Sequence, residues 1–294
     1  MKPDDAMSSE DCMLSKLRRE IDSIDEAIHD LLMRRTEVVE KIGAAKTGGI
    51  YVHPAREAQV LRRLLSRHGG RFPKIVLVRL WREIFSALVS LQGPFSLAVY
   101  MPQRGAGYLE LARDQYGAYT PAIACSSVGQ VVRAVTDGSA TIGILPMPQE
   151  DESALWWHIL ASDNVENPKI IARLPFVGPG PGRGDGIDAL AVARMMPEES
   201  GHDNTFFLLE TSDGVSRATV RRLMAGAGLD KAVCKGFHAI GGHIHLHLME
   251  ASGFMTRNDD RLQVLCRLEG GIAIRAVVLG GYAVPLSSAE LFSP

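Results

Sequence analysis

The chain has 294 residues, 46% of them hydrophobic and 22% charged, with a formal net charge of −2. That length suits on the order of two or three domains, the composition is ordinary for a globular protein, and the near-balanced charge argues against nucleic acid, a partner that selects a basic excess. Four cysteines (Cys12, Cys125, Cys234, Cys266) show no CxxC spacing, so neither a zinc site nor a disulfide framework is indicated. The polar opening MKPDDAMSSEDC lacks the apolar stretch of a secretion signal, and no run approaches the roughly 18 apolar residues of a membrane helix. A cytoplasmic protein is the expectation.

From Leu14 onward the sequence keeps steps of three and four: Leu14, Leu17, Ile21, Ile24, Ile28, Leu31, then Arg35, then Val38, Ile42 and Ala45, apolar at every position but Arg35. This is the period of a long helix packing along a seam. The pattern predicts a helix from about Met13 to Lys46, stopped at Thr47-Gly48-Gly49. A second helix starts at Pro54, a residue suited to a first helical position, and ends before His68-Gly69-Gly70. A third runs from near Pro73 to Gln92 and is broken by Gly93-Pro94. The long helix overhangs the two shorter ones, so dimerisation is the natural way to cover it.

After Pro94 the pattern changes. Strands are predicted at Ser96–Met101, Ala140–Leu145, Lys169–Val177 and Ala189–Arg194, with helices at Leu109–Tyr116 and Ser126–Asp137. Strands alternating with helices argue for an α/β domain. From Phe206 the order is strand, helix (Arg217–Ala227), strand (Ile244–Met249), helix (Asp260–Leu268), strand (Ala273–Leu279), a βαββαβ-like pattern suiting a small α+β ferredoxin-like module. Three domains are thus expected: all-α at 1–94, α/β at 95–205 and α+β at 206–294. The stretch GPGPGRGDG lacks the Gly-Lys-Ser/Thr ending of a phosphate loop and reads as a crossover. His243, His245 and His247 alternate, so a strand would carry all three on one face. With no acidic or cysteine partner nearby in sequence, a polar strand face or subunit contact is favoured over a metal site.

Arg35 occupies a seam position where an apolar residue belongs. A guanidinium there is costly unless an anion meets it, whether a built-in carboxylate or a ligand. Arg35 and Lys46 are 11 residues apart, three turns, so they face within about 20° of each other at roughly 16 Å and could bracket a small anion. Arg18 lies 17 residues before Arg35, roughly 26 Å along the axis. If the two share a pocket, Arg18 must come from a second, antiparallel copy.

The segment LRREIDSIDEAIHDLLMRRTEVVEKIGAAK, followed by PAREAQVL and a helix ending in Gln, resembles the all-helical chorismate mutases. The resemblance covers about residues 14–92. It implies an intertwined helical homodimer that isomerises chorismate to prephenate without a cofactor, in aromatic amino acid biosynthesis. By that motif Arg18 of the partner chain and Arg35 hold the two substrate carboxylates. Lys46 and Gln92 hydrogen-bond the ether oxygen, Glu57 contacts the ring hydroxyl, and Arg56 supports the pocket. The chemistry suits these groups: a unimolecular [3,3] rearrangement needs its dianion held in a reactive conformer and positive charge where the C–O bond breaks. Bidentate arginines fit planar carboxylates, and lysine supplies a compact point charge. Two positions depart from the family: His53 stands where an acid is common, and Leu88 where a small hydroxyl residue is common. A lost carboxylate hydrogen bond at Leu88 costs about 1–3 kcal/mol in binding, predicting a weaker mutase.

The remainder, about residues 95–286, resembles prephenate dehydratase with its ACT-type regulatory domain in VVRAVTDGSATIGILP, ENPKIIARLPFV, Asp203-Asn204-Thr205-Phe206-Phe207 and LGGYAVP. The family's Thr-Arg-Phe reads Thr205-Phe206-Phe207, without its arginine. The Gly-Pro-x-Gly-Thr-Phe-Ser loop reads Met101-Pro102-Gln103-Arg104-Gly105-Ala106-Gly107, and Pro-x-Glu-Asn-Ser reads Pro146-Met147-Pro148-Gln149-Glu150. Eliminating water and carbon dioxide from a dicarboxylate needs an anion clamp and an acid, so these losses imply an inactive binding or regulatory remnant; the resemblance leaves open phenylalanine or another aromatic amino acid as an effector, prephenate, or a protein partner. The alternatives are a working bifunctional mutase–dehydratase and a non-enzymatic amino-acid-sensing dimer.

Overall fold

The computed structural model describes residues 4–45, 49–102, 107–148, 156–161, 167–178, 186–241, 243–270 and 272–292. It divides into two compact units, one ending at Tyr51 and the other beginning at Val52.

The first unit is one helix, α1 (Asp4–Ala45), of 42 residues and so about 63 Å long. It begins nine residues before Met13, because the segment DDAMSSEDC contains no breaker. The seam is uncovered: Leu14, Leu17, Ile21, Ile24, Ile28 and Leu31 are all exposed. Lys46, Thr47 and Gly48 lie outside the described residues.

The second unit opens with α2 (Pro54–Ser66) and α3 (Lys74–Gln92), Pro54 standing at the first turn of α2 as the sequence suggests. Ala58 and Leu61 of α2 and Val78 and Phe85 of α3 share a buried cluster with Phe176, Leu286 and Leu291. Arg62 fastens α2 to the same body, donating to Ser200 Oγ at 3.1 Å, the His202 carbonyl at 3.1 Å and the Val284 carbonyl at 2.9 Å. Both helices are therefore built onto the α/β layer.

That layer runs β1 (Leu97–Tyr100), α4 (Gly107–Tyr116), β2 (Ala122–Cys125), α5 (Val128–Thr136), β3 (Ile142–Pro146), β4 (Lys169–Leu174) and β5 (Ala189–Ala193). Next come β6 (Asp203–Ser212), α6 (Arg217–Gly226), β7 (Val233–Ile240), β8 (Ile244–Ser252), α7 (Asp260–Arg267), β9 (Ala273–Ala283) and α8 (Ser288–Phe292). Ser127, Ser216 and Asp259 cap α5, α6 and α7 by accepting backbone N–H bonds, which is why these helices start where they do.

All nine strands form one sheet in the order β2-β1-β3-β5-β4-β9-β6-β8-β7. Strands β3 and β5 are buried throughout, as their unbroken apolar runs require. The two strands the sequence pattern does not reveal, β2 and β7, are the two edges of the sheet. Ala122, Ile123 and Ala124 of β2 are exposed, and half of β7 is exposed with a single residue buried, so neither needs an apolar face along its length. The halves of the sheet meet where β4 pairs in parallel with β9 at Ile170 and Gly280. Gly280 has φ +133°, and a Cβ there would fall within the Ile170 peptide, so only glycine fits. Beyond this junction β6-α6-β7-β8-α7-β9 form an antiparallel array ordered β9-β6-β8-β7, with α6 and α7 packed on the Phe207, Leu209 and Met249 face. Among the described residues no helix is long and apolar enough to cross a membrane.

Candidate functional site

On α1, Arg18 is exposed and Arg35 is partly buried, and that burial lowers the Arg35 pKa from its ordinary value. Lys46 lies outside the described residues.

In the second unit His53, Arg56 and Glu57 gather at the start of α2. Arg56 is exposed, while Glu57 is buried and forms an ion pair of 2.6 Å with Arg82 of α3. Burial pushes the Glu57 carboxyl above its usual range, and the charges of Arg82 and His53 oppose that shift. The guanidinium of Arg82 lies over the Phe176 ring, 4.9 Å from its centroid. With its amide oxygen turned toward Arg82, Gln115 of α4 accepts from Nη1 at 3.0 Å and Nη2 at 3.2 Å. Tyr116, buried beside this pair, is held protonated by desolvation and by the charge of Glu57. His53 does not cap α2 with its side chain; its Nδ1 sits 3.1 Å from Glu198 Oε1, so a carboxylate from beyond β5 stands next to the position where an acid was expected. At the other end of α3, Gln92 donates to the Leu88 carbonyl at 3.0 Å, and Leu88 is part of the core.

Arg82, Gln115, Phe176 and Glu198 are absent from the sequence-based set. The signal for Arg82 is present, since it falls on the buried stripe of α3 with Val78, Phe85 and Leu88, just as Arg35 falls on the seam of α1. A cavity of about 60 Å³ beside Arg82, Gln115 and Phe176 is too small for an organic dianion.

The C-terminal array carries a second arrangement. His245 and His247 lie on β8, but His243 sits in the turn before it, so the three do not share a strand. His247 is buried, bonded to Thr211 Oγ1 at 3.1 Å and depressed to about 4 by burial, with the charges of His245 and Arg217 adding to the effect. His245 lies 3.3 Å from Asp213, and the Phe237 ring packs on both imidazoles. Among the described residues no three His, Cys, Asp or Glu side chains are grouped to hold a metal. A cavity of about 360 Å³ between α6 and β7 is lined by Arg217, Arg221, Lys231, Val220, Met224 and Met249, among others. Thr205 is fully buried; its hydroxyl donates to the Gly253 carbonyl at 2.8 Å and accepts from the Met255 N–H at 3.0 Å.

The N-terminal part is thus a long helix with an apolar seam, followed by two helices joined by a buried ion pair. Residues 17–93 match the family described as chorismate mutase type II. An intracellular chorismate mutase of Mycolicibacterium smegmatis is 38% identical over 73 residues, 24% of this chain and 70% of that protein. The chain belongs to the chorismate mutase family. A bifunctional chorismate mutase/prephenate dehydratase of Stutzerimonas stutzeri is 29% identical over 154 residues, 50% of this chain and 42% of that protein. The chain thus spans about two fifths of the length of the bifunctional relatives it matches. A solved prephenate dehydratase from Arthrobacter aurescens, in complex with L-Phe, aligns over 64% of this chain and 90% of its own at 16% identity, with a TM-score of 0.46.

Proposed function

We propose that the protein is a cytoplasmic chorismate mutase that isomerises chorismate to prephenate by holding and polarising its substrate. The observation that carries the reading is the family match over residues 17–93, which spans Arg18, Arg35, Lys46, Arg56, Glu57, Leu88 and Gln92. In this reading Arg18 of a partner chain and Arg35 take the two carboxylates, and Lys46 and Gln92 face the ether oxygen. Glu57 receives the ring hydroxyl, with His53, Arg56 and Leu88 around it. The uncovered stripe of α1 supports a homodimer, because six large apolar side chains on one face are costly to leave in water. The decisive measurement is loss of chorismate with the purified full chain. Turnover that Arg35→Ala or Lys46→Ala lowers by orders of magnitude supports the reading, and untouched chorismate refutes it. A monomer in light scattering refutes the dimer.

The same reading holds that the α/β region does not dehydrate prephenate. Thr205 is committed to two backbone partners, and Phe206 follows it where an anion clamp would need a cation. The bifunctional relatives favour the opposite outcome, and phenylpyruvate formed from prephenate would establish it. The βαββαβ order and its strand arrangement support an ACT-type regulatory module. Its cationic, partly apolar cavity suits an aromatic amino acid, which calorimetry with phenylalanine and tyrosine would detect.

A further inference from the structure

We infer that the α/β region positions a mutase carboxylate, with Arg82 as the relay that carries the orientation from Gln115 and Phe176 to Glu57. The inference rests on the mutase reading. It gives the C-terminal part of the chain a function that requires no chemistry of its own.

A buried ion pair is costly to build. The side chains of Arg82 and Glu57 are only 4% and 11% exposed. Two charges so buried are rarely the cheapest way to fill a helix interface, and apolar residues of similar volume often serve stability as well or better. The pair is also asymmetric. Glu57 Oε2 meets one guanidinium nitrogen, Nη1 at 2.6 Å, in a single-point contact that leaves the carboxylate's other oxygen outside it. The guanidinium, by contrast, is fixed on two further sides. Gln115 accepts from both terminal nitrogens, and the Phe176 ring covers one face. Neither Gln115 nor Phe176 belongs to the segment matched to the mutase family, which ends at residue 93. A cation whose direction is set by α4 and by the segment after β4 therefore sets the direction of a carboxylate at the first turn of α2. For a reaction driven by positioning, a carboxylate held in one orientation before the substrate arrives contributes directly to rate.

The charged and titratable groups that face Glu57 are Arg82 from α3, His53 from the residue before α2, and Tyr116 from α4, which stays protonated. Arg82 is the nearest cation, so weakening it leaves burial to act on Glu57 with less opposition. The carboxyl then titrates at higher pH, and the acid limb of kcat/KM for chorismate moves to higher pH with it. A purely structural role would lower thermal stability and leave that limb in place.

The test uses the full chain and measures kcat, KM and the pH profile for chorismate with wild type, Glu57→Gln, Arg82→Lys, Arg82→Met, Gln115→Leu and Phe176→Leu, each checked for fold by circular dichroism. Glu57→Gln is expected to remove the acid limb. Arg82→Met is expected to lower kcat/KM about tenfold at a pH on the acid limb, the effect of moving that limb by one pH unit, and by less above it. Arg82→Lys recovers part of that loss, and Gln115→Leu and Phe176→Leu give smaller shifts in the same direction. These last two keep the ion pair and so report even if Arg82→Met does not fold. Wild type with no turnover overturns the mutase reading itself. Wild-type turnover with a limb unmoved in Arg82→Lys, Gln115→Leu and Phe176→Leu, or insensitive to Glu57→Gln, overturns the relay alone.

Discussion

His247 makes the stability of the C-terminal array depend on pH. It is buried on β8, its Nε2 is bonded to Thr211, and burial together with His245 and Arg217 depresses it from its ordinary 6.5 to about 4. Unfolded, the same imidazole protonates near 6.5, so between about pH 4 and 6.5 the unfolded chain binds the extra proton. The stability associated with neutral His247 is therefore full above 6.5, declines as pH falls through that window, and levels off below about 4. A depression of that size is worth about 3 kcal/mol at most, most of it already lost at about pH 4.5. The assay is urea unfolding of wild type and His247→Gln at pH 7 and at about pH 4.5, followed by circular dichroism. Gln keeps a hydrogen-bonding group toward Thr211 and carries no proton to gain. The variant is expected to be the less stable protein at pH 7 and to lose about 2–3 kcal/mol less than wild type on acidification, on the order of 1 M in midpoint. An equal loss in both proteins would refute the reasoning, since the proton would then be taken up elsewhere.

Three further outcomes test the fold and the site. Gly280→Ala places a Cβ within the Ile170 peptide at a positive φ, and it should cost about 2–4 kcal/mol, read as a fall in Tm of about 5–15 °C. Arg62→Met removes the bonds to Ser200, His202 and Val284 that fasten α2; a loss of about 2–3 kcal/mol in urea unfolding is expected, with the Val284 carbonyl losing this donor. Arg35→Ala should lower kcat/KM for chorismate at least about a hundredfold, as loss of a charge aimed at the substrate does, while circular dichroism and elution volume stay those of wild type.

What the sequence discloses and what it hides follow from range. The register of α1 is local: each apolar residue from Leu14 to Ile42 has its neighbour one turn away, so both the helix and the misplaced cation Arg35 stand out without any other part of the chain. The buried strands β3 and β5 are legible for the same reason, as IGILP and ALAVA are apolar on both faces. Edges are different. In β7 an exposed Val233, a Lys235 paired to Glu250 and a glycine at 236 leave no two-residue rhythm to detect. Arg82 shows how the same local signal becomes ambiguous when the explanation is distant. It sits on a buried helical face as plainly as Arg35 sits on the seam, yet its partners are 25 residues away at Glu57 and farther still at Gln115 and Phe176. A misplaced cation shows that an anion or an acceptor must be supplied, but only the folded chain can identify the supplier. For Arg82 the supplier is internal, a carboxylate and an amide from the protein's own helices. For Arg35 the proposed supplier is a substrate carboxylate, and a substitution that removes the charge separates catalysis from packing.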